Sequence, residues 1–182
     1  MKGITTSEQC MKCRGCCQFL ADELYFAPVV TKEELAVIQQ NYDTSRATIL
    51  PHNKEGTIFQ ISPIPSKKHP EEYVCPFYDE ETTYCTIYKD RPLDCRLWPI
   101  MIAKSDKKNT LSITRSEDSY CPALQATSER ARDHYKTYIV KELNKEPYTT
   151  IFSLHPDLAW DLESDMIPLG ELKLHPEVKE QI

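Results

Sequence analysis

Cys10-Met11-Lys12-Cys13-Arg14-Gly15-Cys16-Cys17 gathers four of the chain's eight cysteines into eight consecutive positions. Thiols spaced two residues apart on a tight turn converge on one centre, and the soft thiolate suits zinc and iron–sulfur sites. The other four, Cys75, Cys85, Cys95 and Cys121, lie far downstream, beside turn-like sequence and short aromatic or β-branched runs. Ligands on such a chain are expected on loops braced by a small antiparallel sheet, and all eight cysteines are candidate metal ligands.

The spacing Cys10-x2-Cys13-x2-Cys16 matches the first three ligands of the bacterial ferredoxin run, which a cysteine followed by proline completes. Cys75-Pro76 and Cys121-Pro122 both carry that dipeptide. Zinc is the direct competitor, but zinc fingers and ribbons usually pair one C-x2-C knuckle with a second, and here the downstream cysteines are single. An iron–sulfur cluster, 4Fe-4S in particular, is therefore favoured over Zn2+. Adjacent side chains such as Cys16 and Cys17 point apart, so eight thiols make either two four-ligand sites or one site with four spares. Buried thiols and a disulfide-stapled exported domain are the bland alternatives.

Lys12, Arg14, Arg91 and Arg96 sit beside these cysteines. Cations there would stabilise a negatively charged thiolate centre, with Asp90 and Asp94 orienting the arginines, or they are surface ion pairs of little consequence. Tyr73, Phe77, Tyr78, Tyr84, Tyr88, Trp98 and Tyr120 crowd the downstream cysteines, either excluding water or packing the core. His52, His69, His134, His155 and His175 lie beside turn residues or on a helix flank and are assigned no metal.

The 182 residues are 40% hydrophobic and 27% charged, the balance of a soluble globular protein with room for a core. A net charge of −6 argues against nucleic acid as partner. With four dispersed glycines there is neither a P-loop nor a dinucleotide fingerprint. The amino terminus lacks the apolar run of a secretory signal, and residues 97–103 are too short to span a membrane. The expectation is a cytoplasmic protein with reduced thiols, in which metal binding outweighs disulfides.

The class expected is α+β: a small irregular single domain with cysteine-bearing loops, a short antiparallel sheet and a long helix after Cys121. Residues 10–122 form its metal-binding core, and residues 123–182 supply a helix and a wrapping segment. Thr31-Lys32-Glu33-Glu34 predicts a capped helix with Leu35, Ile38 and Tyr42 inward. Extended segments are expected over 23–30, 57–61, 84–88, 97–103 and 111–114, with a hairpin at 104–109. Pro122 opens a helix running through Ile139 and Leu143 and stopping before Pro147. The remainder, with Pro156, Pro168 and Pro176, reads as turns and short helical pieces.

The quartet Cys10, Cys13, Cys16 and Cys17, with the run Cys85-Thr86-Ile87-Tyr88-Lys89-Asp90-Arg91-Pro92-Leu93-Asp94-Cys95-Arg96 and then Trp98-Pro99, resembles the YkgJ-type cysteine cluster family, the zinc- or iron-chelating CxxCxxCC domain. The resemblance covers Cys10 to Cys121 and implies metal chelation by the cysteines, with redox or electron transfer following if iron–sulfur is held. Two further readings are a zinc-stabilised protein-interaction module and a metal-dependent protein-modifying enzyme, since larger members resemble flagellin lysine methylases. This chain is short and lacks a glycine-rich site for S-adenosylmethionine, so methylase activity is not carried over.

Overall fold

Thr31 closes a strand and opens a helix. Its hydroxyl accepts the Glu34 N–H at 3.2 Å, and the Glu34 carboxylate accepts the Thr31 N–H at 3.1 Å, so each backbone donor at the helix start finds a side-chain oxygen of the other residue. The capping box expected from the sequence is therefore present, and helix α1 spans Lys32–Asn41 with Leu35 and Ile38 buried. The computed structural model describes residue 8 and residues 17–116, 129–163 and 166–175. The chain divides into two compact units, one within residues 4–98 and the other within residues 99–182.

The first unit is built from short antiparallel pieces. Strands β2 (Val29–Thr31), β4 (Ile58–Ser62) and β3 (Thr48–Pro51) form one sheet in that order, and β1 (Gln18–Phe19), β6 (Tyr73–Val74) and β5 (Ile64–Pro65) form a second. A two-stranded ribbon pairs β7 (Tyr78–Asp79) with β8 (Tyr84–Cys85). The turn between β3 and β4 is set by Asn53, whose side-chain oxygen accepts the N–H groups of Thr57 and Ile58, and by Gly56 at φ 66°. Phe19, Val30, Ile38, Ile61, Val74 and Ile87 meet in the core beneath α1. A 3₁₀ turn at Tyr88–Asp90 leads to the short helix α2, Leu93–Leu97.

Three extended expectations change here. Residues Ala21–Phe26 are a 3₁₀ helix because Glu23 accepts the Leu20 N–H at 2.9 Å, and extension begins only after Pro28. The strand at Tyr84 ends at Cys85, and Leu97 belongs to α2, leaving the strand beyond Pro99 to start at Ile100.

The second unit holds β9 (Ile100–Ala103), β10 (Thr110–Ser116), α3 (Glu129–Leu143), α4 (Tyr148–Leu154) and β11 (Met166–Lys173). The sheet order is β11-β10-β9, all antiparallel, with β9 and β10 joined through the hairpin expected at 104–109. Ile113, Ile139, Leu143, Phe152 and Leu172 are fully buried. The helix ends before Pro147 as expected, while its start near Pro122 and the position of Leu124 lie outside the described residues. Strand β11 replaces the turns expected around Pro168. Pairing steps from Ile113–Gly170 to Thr114–Pro168, a bulge on an edge strand, where proline's missing N–H costs no ladder bond.

The architecture is α+β, with small antiparallel sheets and helices. Among the described residues, no helix is long and apolar enough to cross a membrane.

Candidate metal centre

The pairing of β1 with β6 decides where the first described cysteine sits. Gln18 faces Val74 and Phe19 faces Tyr73, so one further step sets Cys17 against Cys75, and the Cys75 N–H donates to the Cys17 carbonyl at 2.9 Å. After Cys75 the chain turns sharply, with the Tyr78 N–H donating to the Cys75 carbonyl at 2.9 Å, and enters the β7–β8 ribbon. There Tyr78 pairs with Cys85. The Thr86 N–H and hydroxyl both donate to the Phe77 carbonyl, fixing the exit of the ribbon. The chain then passes through Arg91-Pro92 into α2, which carries Cys95.

These four segments enclose a cavity of about 40 Å³ with Cys17, Cys75, Cys85 and Cys95 all on its wall. That is more than a single water needs and is small on the scale of organic ligands. Cys75 is the most enclosed, at 7% exposure, and the other three are half-buried. Tyr78, Tyr84 and Tyr88 line the same space, so part of the aromatic crowding in the sequence does face the cysteines. Phe77 is core, and Tyr73 is half-buried on β6. Among the described residues, no three of the four sulfurs lie within 4.8 Å of one another, so closure on a single ion would need side-chain rotation or donors from elsewhere in the chain.

Arg91 also lines the cavity, its guanidinium 4.0 Å above the Tyr88 ring, and Tyr84 stacks on the same ring at 5.6 Å. Helix α2 is fixed by two carboxylates, Glu34 from outside it and its own Asp94. Glu34 Oε1 accepts the Leu93 N–H at 2.8 Å and an Arg96 N–H at 3.1 Å, and Asp94 accepts the Val29 N–H at 3.2 Å. Asp90 accepts the Tyr42 hydroxyl at 2.7 Å, and that bond is the main reason the Tyr42 phenol is held above its usual pKa. The carboxylate on Arg96 is thus Glu34, a residue the sequence reading used only as a helix cap. Its position four residues into the motif Thr31-Lys32-Glu33-Glu34 signalled the cap and gave no hint of the contact with Leu93.

A second clamp stands behind the β7–β8 ribbon. The Glu80 carboxylate accepts the Ser66 hydroxyl at 2.6 Å and the backbone N–H groups of Lys67 and Lys68. The Ser66 hydroxyl chiefly, then those N–H groups, hold its carboxyl below the ordinary value of 4.5. A carboxyl depressed in the folded state stabilises the protein above its unfolded value, and that contribution is lost as pH falls through the lower folded value. Urea midpoints of wild type are therefore expected to drop as pH falls below 4.5, with Glu80→Gln showing a smaller drop and a loss of about 1 kcal/mol at neutral pH.

Cys10, Cys13, Cys16 and Cys121 lie outside the described residues, as do Lys12, Arg14 and Tyr120. His52, His69 and His175 are exposed. His69 stands with Glu71 and Glu72 in a group whose donor atoms lie within 4.8 Å of one another on the surface.

Residues 9–122 match the family CxxCxxCC, "Putative zinc- or iron-chelating domain". The chain belongs to this family. The CxxCxxCC match contains all eight cysteines and the whole cavity wall, and the metal is zinc or iron by the family's description. Over 132 residues the chain is 31% identical to the uncharacterized protein MJ0661 of Methanocaldococcus jannaschii, a stretch that is 71% of this chain. It spans 64% of that relative's length. No solved structure matches this CxxCxxCC chain.

Proposed function

We propose that this protein holds a cysteine-ligated iron–sulfur cluster, in preference to zinc, and works in electron transfer or redox sensing. The observation that carries the reading is the meeting of four cysteines from four separate segments on one small cavity. The donor set is soft and anionic, as iron–sulfur and zinc centres require. Cys17, Cys75, Cys85 and Cys95 are the ligand candidates on the cavity wall. Cys10, Cys13, Cys16 and Cys121 are the further donors, assigned on the sequence spacing alone.

The preference for iron–sulfur rests on the ferredoxin-like triplet and the two Cys-Pro dipeptides. Bound there, a cluster supplies one-electron chemistry. The chain's own residues exclude water through Tyr78, Tyr84 and Tyr88, and Arg91 offsets the negative charge that thiolate ligation gathers. Residues 10–122 act as the metal-binding core, in the cytoplasm, where thiols stay reduced.

Purification without oxygen, followed by iron, sulfide and zinc analysis and a visible spectrum, tests this. Brown protein with iron and sulfide in stoichiometric amounts is expected. Colourless protein with one or two zinc ions would replace the redox role with a zinc-stabilised interaction module, and protein without metal would overturn both.

A further inference from the structure

Helix α3 and strand β11 flank a groove of about 1220 Å³ in the second unit, and its lining lies wholly outside residues 9–122. Its floor is apolar and half-exposed, made by Val140, Leu169 and Leu174. Helix and strand come this close because of Gly170. A Cβ there would meet Val140 Cγ2 at 2.5 Å, inside any tolerated contact.

The rim is cationic on balance, with Lys136, Lys141, Lys145 and Lys173 against the carboxylates of Glu146 and Glu171. Glu171 is engaged by Lys107 from the β9–β10 hairpin, and Lys145 by Glu142. Glu146 accepts the Thr149 hydroxyl at 2.8 Å and meets His175 at 2.9 Å. Lys136, Lys141 and Lys173 remain on the rim with no carboxylate within ion-pair distance among the described residues. A protein with net charge −6 thus presents a local cationic rim over an apolar floor.

We propose that this groove docks an acidic segment of a partner protein, with carboxylates on the lysines and apolar side chains on the floor. The volume exceeds the few hundred to about 1000 Å³ usual for small-molecule sites. Lys136 and Lys141 are separated by roughly 7–8 Å along the helix axis, and Lys173 lies on a different element, so the cations suit a ligand with spaced charges better than a point anion. Nucleic acid fits less well. Among the described residues, no Phe, Tyr or Trp lines the groove for base stacking.

The test is fluorescence anisotropy on the full, metal-loaded chain with a labelled peptide of alternating Glu and Leu, beside its Gln–Leu counterpart and a single-stranded oligonucleotide. Saturable binding of the acidic peptide is expected, weakening with salt and falling at least about tenfold in Lys136→Glu/Lys141→Glu/Lys173→Glu. The Gln–Leu peptide should not bind. Unchanged metal content and thermal midpoint certify the variant. If charge reversal disturbs folding, Lys136→Gln/Lys141→Gln/Lys173→Gln serves with the same expected direction. Absence of peptide binding, equal binding by the folded variant, equal binding of the Gln–Leu peptide, or tighter binding of the oligonucleotide would each overturn the assignment.

Discussion

Cys75→Ser is expected to lower the metal content of the purified protein by at least about tenfold, the scale on which even residues supporting a ligand act. Cys75 is the most enclosed of the four cavity cysteines and faces Cys17 across the β1–β6 pair, so its sulfur has the least freedom to be replaced by water. Serine keeps the size but offers a hard hydroxyl that does not ionise near neutral pH, a poor donor to zinc or to iron in a cluster. Because metal binding is coupled to folding, each tenfold loss of affinity also removes about 1.4 kcal/mol of metal-linked stability. Metal analysis checks the first effect, and thermal unfolding with and without metal checks the second. In metal-free protein the serine variant should unfold close to wild type. A variant equally destabilised in both states would make Cys75 a packing residue instead of a ligand.

Glu34→Ala is expected to cost about 2–4 kcal/mol in urea unfolding, more than any other surface carboxylate of the first unit. One carboxylate here joins three things. It completes the cap of α1 through the Thr31 N–H, holds the first N–H of α2 at Leu93, and pairs with Arg96. Removing it leaves two partly buried backbone donors without acceptors. Thr31→Ala, which disturbs the α1 cap alone, should cost about 1 kcal/mol. Glu34→Gln should fall between the two, because its amide oxygen can still accept while the exposed ion pair, of modest worth, is lost. Since α2 carries Cys95, metal content should decline with Glu34→Ala as well. If stability falls and metal content does not, Cys95 is dispensable for the centre.

Local signals in the sequence were legible where a few adjacent residues decide the outcome. The Thr31–Glu34 box, the hairpin at 104–109, the strand at Ile58 and the end of α3 before Pro147 all depend on neighbours within a turn or two. Strand β11 was not legible, because Pro168 and Gly170 argue for a turn in isolation. Only the bulge against β10 and the approach of Val140 make them strand residues. Cysteine spacing suggested that distant thiols would share a place, and four of them line one cavity. Which side chains would anchor that wall could not be read. Glu34 reaches Leu93 across 59 positions and Tyr42 reaches Asp90 across 48, contacts that no periodicity encodes.

Strands β1, β5, β6, β7 and β8 are only two residues long; Cys85 lies on β8, and Cys17 and Cys75 adjoin β1 and β6. Ladders this short contribute few bonds each and have little stability of their own. Thr86 on Phe77, Ser66 on Glu80 and Leu93 on Glu34 act instead as rivets at isolated points. Between rivets the wall is held mainly by Phe77, Tyr78 and Ile87, which are buried in the same core as Ile38 of α1. Thiolate ligation across Cys17, Cys75, Cys85 and Cys95 would add cross-links where the ladder supplies fewest, so a bound metal would tighten this wall far more than it tightens α1.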